Sequence, residues 1–266
     1  MRIAYFGDKN SHTHAAAQAL YKSGGSFTGY DTVRGVIGAL DGGADIAVVP
    51  VENSVEGYVN ETLDCLLKES IYVAREVILP IHQSLVVFKG AKAEEIKTIY
   101  SHPQALSQCR NYLSKHFPHA TLTASRSTSD GLKKITDKST AAIARSAGDG
   151  NTEILTANIE DYDSNTTRFL ALSKSPSFSG DNCSIVFETA NVPGALAAVL
   201  NVIAKAGLNM TKIQSRPAKT KLGRYIFFVD FIFTQDKEKL MSFLAQLQSN
   251  TAMLKFLGKY ESTVFE

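Results

Sequence analysis

The chain has 266 residues, and its 28 Lys and Arg against 26 Asp and Glu give a net charge of +2. This balance argues against nucleic acid as a partner, and no apolar run reaches the ~20 residues that cross a bilayer, so no membrane segment is predicted. Cys65, Cys109 and Cys183 form no CxxC pair, which leaves a redox motif or a zinc site without support. The N-terminus lacks the regions of a signal peptide, so we expect a folded, cytoplasmic protein, and its length favours two domains.

Short apolar runs alternate with helical patterns over the first two thirds of the chain, which is typical of βαβ units around a largely parallel sheet. The predicted strands lie at residues 3–6, 46–51, 84–88, 98–100, 141–144, 154–156 and 169–172. The predicted helices lie near residues 12–22, 32–40, 59–68, 103–116 and 129–137. These elements predict an α/β fold for this part of the chain.

A stretch rich in Ser, Pro and Gly, residues 173–182, interrupts this pattern. We place the domain boundary there, with a first domain at residues 1–176 and a second at residues 182–266. The second domain is predicted to contain strands at 184–188, 210–216, 225–233 and 256–260 and helices at 194–206 and 237–249. The order βαββαβ is that of ferredoxin-like sheets.

Several predicted strands end in turns that carry hydroxyl and amide side chains and lead into helices. They include Ser11 and Thr13, Asn53 and Ser54, and residues 101–104, 127–129 and 165–168. Helix starts expose backbone N–H groups, so several of them in one crevice would bind an anion such as a carboxylate. For any single residue a helix cap is the stronger explanation, because Ser, Thr and Asn lead the N-cap preferences.

Motifs for common cofactors are absent from the sequence. There is no GxGxxG after a strand, no GxxxxGK(S/T), no HExxH and no GxSxG. The histidines show no metal-binding spacing, and we interpret them as structural or solvated. We therefore expect neither a cofactor nor a metal ion.

Three separated motifs resemble those of prephenate dehydratases. They are Val51-Glu52-Asn53-Ser54 followed by Gly57, then Ser101-His102-Pro103-Gln104, then Thr167-Arg168-Phe169. The second domain resembles an ACT regulatory module through Asn191-Val192-Pro193-Gly194-Ala195-Leu196 and Ser215-Arg216-Pro217. The resemblance covers nearly the whole chain in family order.

The resemblance implies two α/β lobes of the periplasmic-binding-protein type with the substrate in the cleft between them. The chain would cross between the lobes near Pro80 and return before Thr167. The implied reaction is the loss of carbon dioxide and water from prephenate, which gives phenylpyruvate in phenylalanine biosynthesis. Two alternatives remain open: arogenate as the substrate, or a small-molecule sensor that uses the same cleft without turnover.

Site residues follow from the resemblance position by position. Thr167 stands where the family has its essential threonine and would donate a hydrogen bond or a proton to the departing hydroxyl. Arg168 would bind a carboxylate with its planar fork, although a salt bridge within the protein explains it equally well. The other expected substrate contacts are Ser11, Thr13, Asn53, Ser54 and Gln104.

In the ACT module, the resemblance implies that L-phenylalanine binds at a subunit interface as an allosteric effector. The expected effector-binding residues are Asn191, Pro193, Gly194, Ala195, Leu196, Ser215 and Arg216. ACT modules usually pair, so we expect a homodimer or a homotetramer.

Two departures from the family pattern concern these sites. The loop Gly7-Asp8-Lys9-Asn10-Ser11-His12-Thr13 replaces the usual Gly-Pro-x-Gly-Thr-Phe-Ser, which puts the Asp8 carboxylate near a site for a dianion. Asn10 can adopt the left-handed backbone that glycine adopts. Gln214 stands where the family often has Glu, which leaves the identity of the effector open.

Overall fold

The chain folds into two α/β lobes and a third α/β unit, as seen in a computed structural model that describes residues 1–22, 25–148, 150–162, 164–218 and 224–265. The two lobes contain, in chain order, β1 (Arg2–Phe6), α1 (His12–Leu20), β2 (Ser26–Tyr30), α2 (Val33–Gly38), β3 (Ile46–Asn53), β4 (Gly57–Tyr58), α3 (Asn60–Lys68), β5 (Tyr72–Pro80), β6 (Ser84–Phe88), β7 (Thr98–Ser101), α4 (Pro103–Gln108), α5 (Arg110–His116), β8 (Thr121–Ala124), α6 (Thr128–Leu132), β9 (Thr140–Ala144), β10 (Thr152–Thr156) and β11 (Thr166–Ser173). The third unit contains β12 (Asn182–Glu188), α7 (Ala195–Lys205), β13 (Met210–Pro217), β14 (Tyr225–Ile232), α8 (Lys237–Gln248) and β15 (Met253–Val264).

The first lobe is built on the strand order β5-β11-β3-β1-β2. β1 is parallel to β2 and β3, whereas β11, which returns from the second lobe, is antiparallel to β3 and β5. One face of this sheet packs against α1 through Tyr5, Val77 and Phe169, and the other packs against α2 and α3 through Val49 and Leu170. Successive residues of β11 therefore face opposite sides of the sheet.

The second lobe has the strand order β10-β6-β9-β7-β8, with β7 parallel to β8 and β9. Residues 81–83 cross from the first lobe to the second, and residues 157–162 and 164–165 lie on the return; the two crossings are joined by a hydrogen bond from the Ile81 N–H to the Asn165 carbonyl (2.8 Å). The two-lobed arrangement, with crossings after Pro80 and before Thr167, is confirmed. Both sheets are mixed rather than largely parallel, because β6, β10 and β11 run antiparallel to their neighbours.

The third unit has the predicted βαββαβ order and the sheet order β13-β14-β12-β15. Its helices α7 and α8 pack on one face of the sheet around Phe187 and Val229. The other face packs on the first lobe, where Val186 and Phe228 join the same core as Leu170. The sheet of the third unit thus lies between its own helices and the first lobe.

The last strand, β15, belongs to two sheets at once. Its first part pairs with β12, and residues 261–264 pair in parallel with residues 75–78 of β5. Gly258 lies near the end of the first part, opposite Ser184, with φ +149°, and an added Cβ there would stand 2.4 Å from the Val73 carbonyl oxygen. Glycine therefore allows β15 to approach β5, and the first lobe and third unit share one 10-stranded sheet.

Most predicted elements are confirmed, and the differences have local causes. The sequence pattern does not predict β2 and β8, which are edge strands with mostly exposed residues, or β5, which carries Arg75 and Glu76 in its middle. The helix predicted at 103–116 is divided at Cys109, where ψ is 16°. The helix predicted at 129–137 ends at Leu132, and the strand predicted at 256–260 is the longer β15.

Candidate active site

One edge of the first-lobe sheet gathers the predicted substrate residues. β1 and β3 are parallel, so their carboxyl ends lie at the same edge, and the antiparallel β11 begins there. This edge carries the loop at residues 7–13, Asn53 with Ser54, and Asn165 with Thr167. In the sheet register Thr167 lies directly opposite Asn53. The first and third sequence motifs therefore form a single group of side chains.

The buried amide of Asn53 connects these two motifs. Its Nδ2 donates to Thr167 Oγ1 (2.9 Å) and to Asn165 Oδ1 (2.7 Å). Its Oδ1 accepts from the backbone N–H groups of Val55 and Glu56, both at 3.0 Å. Because a backbone N–H group can only donate, these contacts establish which end of the Asn53 amide is the oxygen.

The orientation of Asn53 determines what the Thr167 hydroxyl can do. Thr167 is 8% exposed, and its Oγ1 accepts a hydrogen bond from Asn53 Nδ2. A hydroxyl group has one proton of its own to donate, and this contact does not use it. The Thr167 hydroxyl can therefore donate to a ligand at this edge.

The other hydroxyl groups predicted for this edge have partners within the protein. Ser54 Oγ donates to a backbone carbonyl (3.2 Å) and accepts from the Thr166 N–H (2.9 Å), which holds the two motifs together. Ser11 is the N-cap of α1, where its Oγ accepts from the His14 N–H (3.2 Å). Thr13 is buried in α1. The cap explanation is confirmed for Ser11, and ligand contacts of Ser11, Thr13 and Ser54 stay predictions.

The second lobe presents an edge of its own to this group. β7, β8 and β9 are parallel, so the starts of α4 and α6 and the residue Arg145 lie at their common carboxyl edge. Ser127 Oγ donates to Asp8 Oδ2 (3.2 Å), and Gln108 Nε2 donates to Glu56 Oε1 (3.3 Å). These contacts between lobes bring the two edges face to face across a cleft.

The second sequence motif lies across this cleft from the other two. Gln104 is half-buried in the first turn of α4, where its backbone N–H donates to His102 Nδ1 (3.3 Å). Ser101 is buried, and its Oγ donates to the Ile143 carbonyl (2.8 Å). Of the motif, Ser101 thus has its partner within the protein, His102 and Gln104 are half-buried at this edge, and a ligand contact of Gln104 stays a prediction.

The unusual loop before α1 keeps the expected backbone shape and adds contacts to the second lobe. Asn10 has φ +71°, as its replacement of glycine predicts. The Asp8 carboxylate accepts a hydrogen bond from Ser127, and His12 Nε2 donates to the carbonyl of His82 (3.3 Å) in a crossing segment. Burial lowers the pKa of His12 to about 4, so its imidazole is neutral near neutral pH.

The lowered pKa of His12 predicts that acid destabilises the protein. The unfolded chain binds a proton at His12 below about pH 6.5, whereas the folded protein does so only below about pH 4. Between these values the unfolded state binds more protons, so the stability contributed at high pH is lost as the pH falls through this window. The fall in melting temperature from about pH 7 to about pH 5 should be smaller in His12→Gln, whose amide can still donate to His82. His119→Gln, at an exposed histidine, is the control, and an equal pH dependence of the original protein and His12→Gln would contradict the prediction.

Arg168 points away from the cleft, which corrects the expectation that it binds substrate. It lies on the face of β11 opposite Thr167, where its guanidinium forms ion pairs with Glu76 and with Asp230 (2.7 Å) and donates to the Tyr260 hydroxyl (3.1 Å). Burial opposes the charge, but Asp230, Tyr260 and Glu76 hold the pKa of Arg168 well above its usual value. With two carboxylates already bound, Arg168 links the first lobe to the third unit.

A pocket of about 440 Å³ lies in the third unit, at the start of α7. Its lining includes the predicted effector residues Asn191, Gly194, Ala195 and Leu196, together with Leu200, Tyr225 and Phe227. Gly194 precedes α7 with φ +81°, a conformation that glycine adopts without strain. The turn predicted to bind an effector therefore borders this open pocket.

Arg216 is not among the residues that line this pocket, and its role in an effector site at a subunit interface stays a prediction. Its Nη1 pairs with Asp64 Oδ1 (2.9 Å) and donates to the Asn60 carbonyl (2.9 Å), both on α3 of the first lobe. Ser215 lies opposite Phe227 in the sheet register and so shares the face on which the pocket opens. Pro193 is next to the lining residues in the turn.

Known protein families match both parts of the chain. The family model of prephenate dehydratase matches residues 3–177, and that of the ACT domain matches residues 184–247. The chain belongs to the prephenate dehydratase family. Enzymes of the prephenate dehydratase family are lyases, and the two-lobed catalytic fold followed by an ACT domain is the one found here.

Individual prephenate dehydratases resemble the chain over most of its length. The prephenate dehydratase of Lactococcus lactis is 38% identical over 98% of this chain and 97% of its own. A bifunctional chorismate mutase/prephenate dehydratase of Aquifex aeolicus is 36% identical over 100% of this chain and 75% of its own. The crystal structure of the prephenate dehydratase of Arthrobacter aurescens in complex with L-Phe has a TM-score of 0.87 and 28% identity, over 98% of this chain and 90% of that one.

Some features of this prephenate dehydratase cleft are not singled out by the family motifs. Asn165 binds the Asn53 amide, and Arg145 follows the central strand of the second lobe. The sequence signal for Arg145 is a charged residue directly after a predicted strand. It is passed over because the Thr167-Arg168-Phe169 motif already provides an arginine to bind a carboxylate. Among the residues described, no helix is long and apolar enough to cross a membrane, and no group of three or more His, Cys, Asp and Glu side chains could hold a metal ion.

Proposed function

We propose that this chain is a prephenate dehydratase of phenylalanine biosynthesis, which converts prephenate to phenylpyruvate. The observation that carries the proposal is the Thr167 hydroxyl, which Asn53 holds at the cleft with its proton free to donate. The family match over residues 3–177 supports it. The proposed substrate contacts are Asn53 and Gln104 from opposite lobes, with Ser11, Thr13 and Ser54 beside them.

The reaction requires a hydrogen-bond donor at the departing hydroxyl. The bond between the ring and its carboxylate breaks and releases carbon dioxide, while the electron pair of that bond moves into the ring. The C–O bond breaks, the departing hydroxyl group takes up one proton from solvent and leaves as water, and the ring becomes aromatic. A threonine hydroxyl is a weak acid, so Thr167 acts by donating a hydrogen bond to the departing oxygen as it gains negative charge.

We also propose that L-phenylalanine regulates the enzyme from the pocket at α7. The first turn of α7 presents backbone N–H groups that suit a carboxylate, and Leu196, Leu200 and Phe227 provide apolar contacts for a phenyl ring. The Arthrobacter relative in complex with L-Phe supports this choice of effector. The Gln214 amide donates to the carbonyl of its neighbour, Ser215. This contact does not favour L-phenylalanine over another amino acid as the effector.

The proposed coupling between the two sites runs through a pair of ion pairs. Asn53 follows Glu52, which pairs with Lys212 of β13, and Thr167 precedes Arg168, which pairs with Asp230 of β14. Thr167 and Asn53, which orients it, are thus each adjacent in the chain to a residue that forms an ion pair with the ACT sheet. A displacement of this sheet would reach both of them, and the effector would act by favouring one of two arrangements.

The boundaries and assembly of the enzyme are part of the same proposal. We assign residues 1–176 to the catalytic part and residues 182–266 to the regulatory part, with residues 261–264 of β15 completing the catalytic sheet. We further propose a cytoplasmic homodimer or homotetramer that pairs through its ACT domains. Light scattering of the purified protein tests the assembly, and a monomer contradicts it.

A steady-state assay of the purified protein with prephenate, with and without L-phenylalanine, tests the function. Production of phenylpyruvate that L-phenylalanine suppresses is the expected result. If the protein turns over arogenate but not prephenate, arogenate is its substrate. If calorimetry shows that prephenate binds without turnover, the protein is better explained as a small-molecule sensor that uses the same cleft.

Ala197→Phe is expected to weaken the response to L-phenylalanine by at least about tenfold in effector concentration, because a new side chain would occupy the apolar part of the pocket. Basal turnover should be unchanged. Ala198→Phe is the matched control, since Ala198 is also an exposed residue of α7 but does not line the pocket. Equal responses of the two variants to the effector would place the effector site elsewhere.

A further inference from the structure

The cleft lacks the carboxylate ligand that the family motif was expected to provide. Prephenate carries two carboxylates, whereas Arg168 is bound to Glu76 and Asp230 on the far face of the sheet. The cleft edges themselves carry Asp8 and Glu56, which repel an anion. A dianion therefore needs a positive side chain from another element of these edges.

The loops of the two edges contain Lys9, Arg126 and Arg145 as basic residues besides histidine. Lys9 neighbours Asp8 in the chain, and Arg126 lies near Asp130, whose pKa is lowered mainly by the backbone N–H of Arg126 (3.2 Å) and also by the Arg126 charge. Arg145 is exposed and, like Lys9 and Arg126, takes part in none of the ion pairs among the described residues. Lys9 and Arg126 each have a carboxylate close by, in Asp8 and Asp130, so Arg145 is the stronger candidate for binding an anion.

Arg145 also has the most central position in the cleft. It directly follows β9, which lies between β6 and β7 in the middle of the second-lobe sheet. On one side lies the turn that carries Gln104, and on the other Ala144 pairs with Ser84, next to the crossing at residues 81–83. A side chain at this position can reach a ligand held between the lobes.

The charge of Arg145 acts on the opposite lobe. After burial, which is the largest cause, Arg145 contributes to the lowered pKa of both His12 and His14 on α1. Both histidines belong to the first lobe, so the positive field of Arg145 extends across the cleft to the helix start where Ser11 and Thr13 lie. An anion between these elements would lie within this field.

We propose, on the basis of the proposed function, that Arg145 is a substrate-binding residue that holds the side-chain carboxylate of prephenate, which the product retains. Its planar guanidinium matches two carboxylate oxygens. An ion pair with the other carboxylate would stabilise the charge that disappears as carbon dioxide leaves, and would slow the reaction. Binding of the retained carboxylate stabilises substrate and transition state alike, so Arg145 acts on affinity and specificity.

The test compares Arg145→Gln and Arg145→Lys with Arg110→Gln, which removes an equal charge from the exposed start of α5 on the same lobe. Arg145→Gln should raise KM for prephenate by about 10–100-fold with kcat within about threefold, Arg145→Lys should be intermediate, and Arg110→Gln should match the original. An unchanged KM in Arg145→Gln, or a loss confined to kcat, would overturn the assignment.

Calorimetry separates this assignment from the function itself. If the original protein binds prephenate without turnover, the proposed catalysis fails, and the dissociation constant takes the place of KM. A 10–100-fold weaker binding by Arg145→Gln then supports the assignment, and equal binding overturns it. Absence of both binding and turnover in the original protein overturns both proposals.

Discussion

Thr167→Val is expected to lower kcat for prephenate by about 10²–10³-fold, the usual cost of removing one hydrogen-bond donor from an oxygen that gains negative charge. Valine replaces the hydroxyl group with a methyl group, and the Asn53 amide keeps Asn165 Oδ1 as an acceptor. The fold should therefore be retained. A steady-state assay measures the loss of turnover, and circular dichroism with thermal unfolding shows whether the fold is intact.

Thr167→Ser is the matched variant, because serine keeps the hydroxyl group that Asn53 orients. Its kcat is expected to stay within about tenfold of the original value. A Thr167→Val variant that also stays within this range would contradict the role of the hydroxyl. Equal losses in the two variants would show that the effect does not follow the hydroxyl group and would also contradict the proposed role.

Arg168→Met is expected to lower the free energy of unfolding by about 3–5 kcal/mol, because it leaves the carboxylates of Glu76 and Asp230 without their cation. The Arg168 and Glu76 side chains are only 12% and 7% exposed, so water cannot replace the lost contacts. Chemical denaturation followed by circular dichroism measures this loss of stability.

The triple variant Arg168→Met, Glu76→Gln, Asp230→Asn is the control, since it removes the charges together with the cation. It should recover a large part of the stability, because neutral amides are less costly to bury than unpaired carboxylates. If Arg168→Met instead leaves stability unchanged and raises KM for prephenate, the result would contradict this structural role and assign Arg168 to substrate binding.

The sequence predicts best those parts of the molecule whose environment is local. Asn53 directly follows a buried strand and precedes a turn, and both facts are visible in the order of the residues. The third unit is equally clear, because Cys183, Ile185 and Phe187 alternate with residues of the other sheet face. Asn10 adopts a left-handed backbone for reasons that concern only its own side chain.

The direction of Arg168 could not be predicted, because it depends on residues far away in the chain. Glu76 interrupts the apolar pattern of β5 and resembles a solvent-facing residue, yet it is 5% exposed because Arg168 and Ser262 bind it. For the same reason β5 is not predicted as a strand, because Glu76 breaks its apolar pattern. Arg216 is a similar case, since its partner Asp64 lies on a helix of another lobe.

The shared strand β15 limits how this regulatory domain can be gained or lost in evolution. β15 is the outer neighbour of β5, so deletion of the ACT domain would leave the N–H and C=O groups along that side of β5 without partners. An unpaired edge of this kind is a template for association with other chains. Deletion would also uncover Val51 and Leu170, which share a core with Phe228. A lineage that discards or exchanges this regulatory domain therefore has to supply a new edge strand at the same time.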